Sequence, residues 1–414
     1  MQSRPVQDGN LRSLVLCALA ALFEGFDNQS MGVAAPRLIP EFGLAPGAIS
    51  WVFSAATFGL LVGAIIGGRV ADRVGRKPVL IASLMVMGLC SCATALANSV
   101  ESLLLARFLT GLGLGGAMPN FIALAAEMVE PRRRVAVVTV VTAALPFGGA
   151  LAGMLSLSHG IGWDWRVIFY VGGIGPVVLA LLMMPLLRES AERSGDGAVR
   201  PDTASLSQAL FADGRASRTL QLWSGFFFNQ LILLLMLNWL PTLFVRLSFS
   251  HAAASWAAIC FNLSGSFIGA LIARACGGPR RSLWVTLNYL GIVVALMLLY
   301  SGTSVEIALF GCALAGATII GGQLVVYALA PLSYSTAVRS TGVGAAVAVG
   351  RFGSVVGPLY AGGLLALGAA SSAVLVGIIP FVALGGAAVF ALTRQRTEPD
   401  IAQNAPQTRN ESAA

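Results

Sequence analysis

The sequence predicts an all-α integral membrane protein, with twelve transmembrane helices in two six-helix bundles, and three observations predict it. Of its 414 residues 57% are hydrophobic and 11% charged, against about 25% charged in ordinary soluble domains. A soluble chain this apolar would have too little polar surface to stay dispersed. The apolar residues gather into segments near the roughly 20 residues that a helix needs to cross a bilayer. The basic residues behind the net charge of +8 recur between those segments instead of forming one patch. They read as a topological signal, not as a nucleic-acid surface.

Taken in order, the spans run near 14–35, 49–70, 79–97, 102–124, 135–157, 164–187, 219–241, 252–274, 282–301, 305–330, 340–366 and 371–393. The first is too long for a signal-peptide core and lacks a small-residue cleavage site, so it is expected to stay as a span. Residues 1–13 and 394–414 are tails. The polar interval 188–218, the one long internal loop, separates a bundle at 14–187 from a bundle at 219–393. One set of loops and tails holds 21 of the 26 Lys and Arg residues, and the other holds Arg37, Arg166 and Arg246. The positive-inside rule therefore places both termini and 188–218 in the cytoplasm. Arg107 and Arg351 are left inside spans.

Small residues are spaced for close helix packing: Gly59, Gly63 and Gly67 share one face, as do Gly111 with Gly115, Gly149 with Gly153, and Gly353 with Gly357. Such seams suit tight packing and also helices that rock past each other. The halves show a faint repeat, with "ADRVGRK" (71–77) laid over "ARACGGP" (273–279). Duplicated halves are a transporter architecture with the substrate site at their interface. The six cysteines form no CxxC and have no suitably spaced His, so no metal or redox site is expected. His159 and His251 fall in predicted loops.

The first span carries two acids, in "FEGFDNQS" (23–30). An ionisable residue near the bilayer centre costs about 2.5–3.5 kcal/mol on translocon scales. Glu24 and Asp27, three residues apart, lie within about 60° of each other on the helix. Two ionised carboxylates so placed repel each other, and a group that takes up and gives up a proton is what proton coupling needs. Asp27, the deeper, is the favoured carrier. The alternative is a structural acid paired with Arg107 or Arg351. Arg107 begins the fourth span, where it either snorkels or serves gating or binding. Arg351, in "AAVAVGRFGSVVGP" (345–358), follows six apolar or small residues and so cannot easily reach either surface. Held there, its charge needs an anion, either a helix carboxylate or the substrate's own. Asn229, Gln230, Asn238, Asn262, Gln323 and Tyr327 are softer candidates for a cavity lining, each equally an interhelical hydrogen bond. Gln323 and Tyr327 share a face.

The strongest motif is "GGRVADRVGRKPVL" (67–80), followed by "RFLTGLGLGGAMPN" (107–120) and "EMVEPRRR" (127–134). Its glycines permit a tight turn, and Asp72 interrupts a basic cluster that topology alone would not need. The chain here resembles the major facilitator superfamily, whose loop between helices 2 and 3 reads G-x-x-x-D-R-x-G-R-[RK]. Gly68, Asp72, Arg73, Gly75, Arg76 and Lys77 fill that pattern. The resemblance implies a gating latch at the cytoplasmic helix ends, with Glu127 and Arg134 in the loop after helix 4. More narrowly, "FEGFDNQSMGVAAP" (23–36), "NWLPTLF" (238–244), "GGQLVVYALAPLSYS" (321–335) and "RSTGVGAAVAVGR" (339–351) are similar to the aromatic acid:proton symporters. Glu24 replaces the first Asp of their D-G-x-D motif, as in the branch that carries 3-(3-hydroxyphenyl)propionate. Arg274 stands where relatives often keep an acid.

The resemblance implies import of a small aromatic carboxylate with protons across a bacterial inner membrane. Asp27 and Glu24 would couple protons, and Arg351, Arg107, Gln323, Tyr327 and Asn238 would bind substrate. No cofactor beyond the proton, no nucleic-acid partner and a monomer in the lipid bilayer are expected. Symport agrees with the energetics, because a monocarboxylate entering alone opposes an inside-negative potential at about 2.3 kcal/mol per 100 mV. Another organic acid is the nearer alternative substrate. A drug/proton antiporter would have less use for a buried arginine. No nucleotide loop, metal motif or nucleophile–base pair marks an enzyme.

Overall fold

The computed structural model describes residues 8–130, 132–158, 164–187, 210–212, 215–278, 280–301, 304–334 and 338–394. The outer parts of both predicted tails, most of the 188–218 loop and His159 lie outside them. The described residues form twelve long helices. They are α1 (Asp8–Phe42), α2 (Pro46–Val74), α3 (Arg76–Ala95), α4 (Val100–Glu127), α5 (Arg134–Leu157) and α6 (Arg166–Leu186). Then come α7 (Ala216–Arg246), α8 (His251–Cys276), α9 (Arg281–Ser301), α10 (Val305–Leu329), α11 (Arg339–Ala366) and α12 (Ser371–Arg394). In lipid every backbone polar group must be satisfied within the segment, which is why the apolar stretches become helices.

Eleven of these helices are apolar and long enough to cross a membrane. The one that falls short by hydropathy is α1, whose middle carries Glu24, Asp27, Asn28, Gln29 and Ser30. Its length is ample, since 35 residues at about 1.5 Å each exceed the hydrocarbon core. The helix also overruns its expected bounds at both ends. Residues 8–13 are helical, and Arg37 lies on the helix, half-buried, where the sequence placed it in a loop. Regularity breaks within α8 and within α12. Residues Gly265–Gly269 of α8 wind as a π-helix. In α12 the helix is interrupted at Ile378, just before Pro380, whose missing N–H removes a helical hydrogen bond.

Helices α1–α6 pack as one bundle and α7–α12 as the other, and the glycine seams show where backbones meet. A Cβ on Gly59 or Gly63 would lie 2.0 or 2.1 Å from the carbonyl oxygens of Phe108 and Leu112, and one on Gly67 would lie 2.7 Å from the Cα of Gly116. Gly111 and Gly115 press back on Ala56 and Leu60, so this double seam clamps α2 to α4 inside one bundle. Gly353 and Gly357 likewise meet the carbonyls of Phe227 and Leu231 on α7. Only the Gly149/Gly153 pair faces the other bundle, against Asn262 and Ile259 of α8. Three of the four seams are therefore packing devices within a bundle.

Between bundles, α2 meets α11, α5 meets α8, and α1 meets α7. The ties concentrate toward the end where α1 joins α2, called here the distal end; the end with the α2–α3 loop is the motif end. Ser54 donates to the carbonyl of Val355 at 3.0 Å, Ser255 to the Ser156 hydroxyl at 3.0 Å, and the Phe53 and Trp239 rings meet edge-on at 5.4 Å. The distal end is closed.

Candidate substrate and coupling site

The two acids of α1 meet different surroundings. Asp27 is fully buried, and Arg107 of α4, 2% exposed, grips it with both arms of its guanidinium. Nη1 donates to Oδ1 at 3.0 Å and Nη2 to Oδ2 at 2.9 Å. This bidentate geometry is the strongest form of such a pair. The Ser91 hydroxyl of α3 stands 3.5 Å from Oδ1, and the guanidinium lies 5.8 Å from the Phe169 ring centroid. Arg107 therefore does not snorkel, and its charge is taken up by Asp27. It still borders the interface between the bundles, in a narrow cleft shared with Asn28, Phe53, Leu234 and Asn238.

Glu24, one turn earlier, is also buried, but its Oε2 has no hydrogen-bond partner. The charged groups that act on it are Arg351 and Asp27. Arg351, half-buried on α11, reaches across the bundle interface until its Nη2 lies 3.2 Å from the sulfur of Met118 on α4. It has no carboxylate within ion-pair distance among the described residues. Of these two arginines, Arg107 is ion-paired, while Glu24 acts on Arg351 only from beyond ion-pair distance.

The softer candidates separate. Asn238 lines the Arg107 cleft but donates its amide to the Leu234 carbonyl of its own helix at 2.8 Å. Tyr327 is half-buried with its ring edge-on to Phe226 at 5.0 Å. Gln323, one turn before it, is buried with neither amide atom partnered. Asn229 belongs to the interior of the second bundle, bonded to the Tyr289 hydroxyl at 2.6 Å. A cavity of about 370 Å³ between α2, α3 and α4 is apolar and lies away from these groups.

Sequence reasoning passed over Gln29. Its Nε2 donates to the Leu237 carbonyl of α7 at 3.0 Å, and its Oε1 accepts from Asn262 of α8 at 2.9 Å. One side chain thus ties α1 to two helices of the other bundle. The available signal was its place two residues after Asp27 on a membrane helix, where an amide has to find a partner. If this clasp holds the distal end shut, Gln29→Ala should shift the protein toward a distal-open state. Spin labels at Ser158 and His251 should then give longer distances than in the parent. An unchanged distance distribution would remove Gln29 from gating.

At the motif end, Gly75 has φ of 97° and ψ of 160°, a conformation essentially reserved to glycine. The tight turn rests on that residue alone. Gly67 and Gly68 are inside α2, and a Cβ on Gly68 would meet nothing within 4 Å, so the expectation that Gly68 serves the turn is corrected. Arg76 forms an ion pair with Glu127 at the end of α4, and Lys77 donates to the Met184 carbonyl of α6 at 2.9 Å. Asp72 and Arg73 are exposed, and Asp72 makes no ion pair or hydrogen bond with a described residue. Arg134 opens α5 and is exposed, apart from the Arg76–Glu127 pair. The matching loop after α8 has Gly277 at φ of −76°, so it does not repeat the strained turn.

Residues 17–358 match the family described as Major Facilitator Superfamily. The chain belongs to this superfamily. Among individual proteins of it, the chain is 42% identical to the 3-(3-hydroxy-phenyl)propionate transporter of Escherichia coli (strain K12), over 92% of this chain and 94% of that one. It is 33% identical to the gallate transporter of Pseudomonas putida, over 89% and 88% of the two chains. Among solved structures, the D-xylose-proton symporter superposes with a TM-score of 0.75 over 93% of this chain and 97% of that one. At 15% identity, that likeness speaks to the fold. This superfamily member is a multi-pass membrane transporter with bacterial relatives, not an enzyme.

Proposed function

We propose that the chain imports an aromatic carboxylate together with protons by alternating access, and that a hydroxylated acid such as 3-(3-hydroxyphenyl)propionate is its substrate. The observation that carries this reading is Arg351, a guanidinium held within the membrane at the bundle interface without an ion pair to any described residue. Arg107 has Asp27, and Glu24 acts on Arg351 only from beyond ion-pair distance, which leaves the guanidinium open to the substrate's carboxylate. The names of the relatives, transporters of aromatic acids, support the same class. Tyr327 and Asn238 would border the path, and Gln323 would contact the ring end.

Of the two acids, the geometry favours Glu24 for the exchanged proton, because Asp27 is already committed to a bidentate pair. This reverses the preference drawn from depth in the span. Charge bias supports a cytoplasmic motif end in a bacterial inner membrane, with the distal end periplasmic. In that orientation the distal end is closed in this structure. Asp72 would close the motif end in the opposite state, so Asp72→Asn should move the Ser158–His251 distances against the direction expected for Gln29→Ala.

Purified protein in liposomes tests the function. An imposed pH gradient, acidic outside, should drive accumulation of hydroxylated aromatic acids above equilibrium, while aliphatic acids and lipophilic cations stay at background. Uptake that ignores the gradient would overturn proton coupling, and accumulation of lipophilic cations instead would overturn the carboxylate reading.

A further inference from the structure

The carboxylate end of the site leaves open what reads the rest of the substrate. Gln323 is 6% exposed, yet neither its Oε1 nor its Nε2 has a partner. Buried polar side chains are normally hydrogen-bonded, so a side chain with both functions free marks a place prepared for something else. Gln230 on α7, 5% exposed, also has a free Oε1. Both side chains connect to the neighbourhood of Arg351. Gln230 and Phe226 pack on Gly350, each 3.3 Å from where its Cβ would stand, and Phe226 carries the Tyr327 ring one turn from Gln323.

The three helices also bring these residues to a common depth. At 1.5 Å per residue, Arg351 lies about 18 Å from Arg339, Gln230 about 21 Å from Ala216, and Gln323 about 15 Å from Ser333. Arg339, Ala216 and Ser333 all stand at the motif end of their helices. Arg351, Gln230 and Gln323 therefore form a band across the second bundle. It has a cation on α11, an aromatic pair between α7 and α10, and free amides beside that pair.

We propose that the Gln323 carboxamide reads a ring hydroxyl of the substrate, its Nε2 donating to the phenolic oxygen while the phenolic O–H donates to one carbonyl, that of Gln323 or that of Gln230. The inference rests on Arg351 holding the carboxylate. A phenolic hydroxyl donates one hydrogen bond and accepts others, and a carboxamide with both ends free offers the matching acceptor and donor. An apolar ring without the hydroxyl would leave those buried groups unsatisfied. A site built to bond a hydroxyl discriminates far more strongly against the analogue lacking it than an apolar pocket discriminates between shapes. Gln323 is thus a specificity-determining residue that separates hydroxylated aromatic acids from their unsubstituted parents.

The test compares 3-(3-hydroxyphenyl)propionate with 3-phenylpropionate, the same acid without the ring hydroxyl, by calorimetric binding to purified protein. The parent protein should bind the hydroxylated acid at least about 10-fold more tightly. Gln323→Met, similar in length and apolar, should bring the ratio close to one, chiefly by weakening the hydroxylated acid. Gln323→Asn, which keeps the amide on a shorter arm, should give an intermediate ratio and guards against a misfolded Met variant. A parent protein that binds the two acids equally would overturn the proposal, whatever the variants do. So would a Gln323→Met protein that keeps the parent ratio. If the acids bind with the expected preference but Arg351→Ala leaves both affinities unchanged, the carboxylate reading fails on its own and this proposal falls with it. If Arg351→Ala weakens both acids and the parent still shows no preference, only the hydroxyl reading fails.

Discussion

Replacing Arg351 by Lys should lower affinity for the aromatic acid by about 10- to 150-fold, because hydrogen bonds to charged groups contribute about 1.5–3 kcal/mol. A conservative change in charge is not conservative here. Lysine presents a point charge on a flexible stem, whereas the guanidinium offers two donors in a rigid plane that matches a carboxylate. The loss should be confined to the anion. The uncharged amide of the same compound, which never engages the full charge, should bind the parent protein and the variant about equally weakly. Calorimetry or fluorescence quenching on the acid and the amide gives both numbers. Arg351→Ala that weakens acid and amide alike would make the arginine a structural element and move the carboxylate site elsewhere. In the structure Arg351 touches the Met118 sulfur and no acid among the described residues, which is the basis for expecting a selective loss.

That contact also shows where the sequence stopped being informative. Twelve spans, the charge bias and the strained loop at Gly75 are all local properties, written in runs of neighbouring residues. They were legible because a bilayer imposes its thickness on each span separately. The choice of partner for Asp27 was not local. Arg107 and Arg351 were equally available to it on paper, and only the rotation and depth of α4 against α1 assign the pair. The glycine seams were visible as spacing, but spacing does not tell whether the opposing helix belongs to the same bundle. Gly59 and Gly149 look alike in sequence, yet one meets a backbone within its bundle and the other faces Asn262 across the interface. Gln29 was overshadowed by the acids beside it. Its importance lies in bridging α7 and α8, more than 200 residues away in the chain. The two ends of α1 were not legible because they carry Asp8, Asn10 and Arg12 on one side and Arg37, Pro40 and Glu41 on the other, where the apolar run has already stopped.

The acids of α1 should respond to neutralisation in opposite ways. Asp27→Asn removes one partner of a buried bidentate pair and leaves the Arg107 charge uncompensated, with a side chain only 3% exposed. Breaking such a pair from one side typically costs about 3–5 kcal/mol. The variant should therefore melt at a clearly lower temperature in detergent and lose every mode of transport, including substrate exchange without a proton gradient. Adding Arg107→Gln should restore much of the stability, since the stranded charge is then gone as well. Glu24→Gln touches no ion pair, and the Oε2 it replaces has no hydrogen-bond partner to lose. Its melting temperature should stay close to the parent's. Exchange of labelled for unlabelled substrate should persist, while accumulation under an imposed pH gradient should disappear, because a neutral amide cannot take up the proton that couples the two fluxes. A Glu24→Gln protein that still concentrates substrate would return the coupling role to Asp27. An Asp27→Asn protein as stable as its parent would show that the pair with Arg107 forms in only part of the cycle, and that its acid is free to exchange a proton in the remainder.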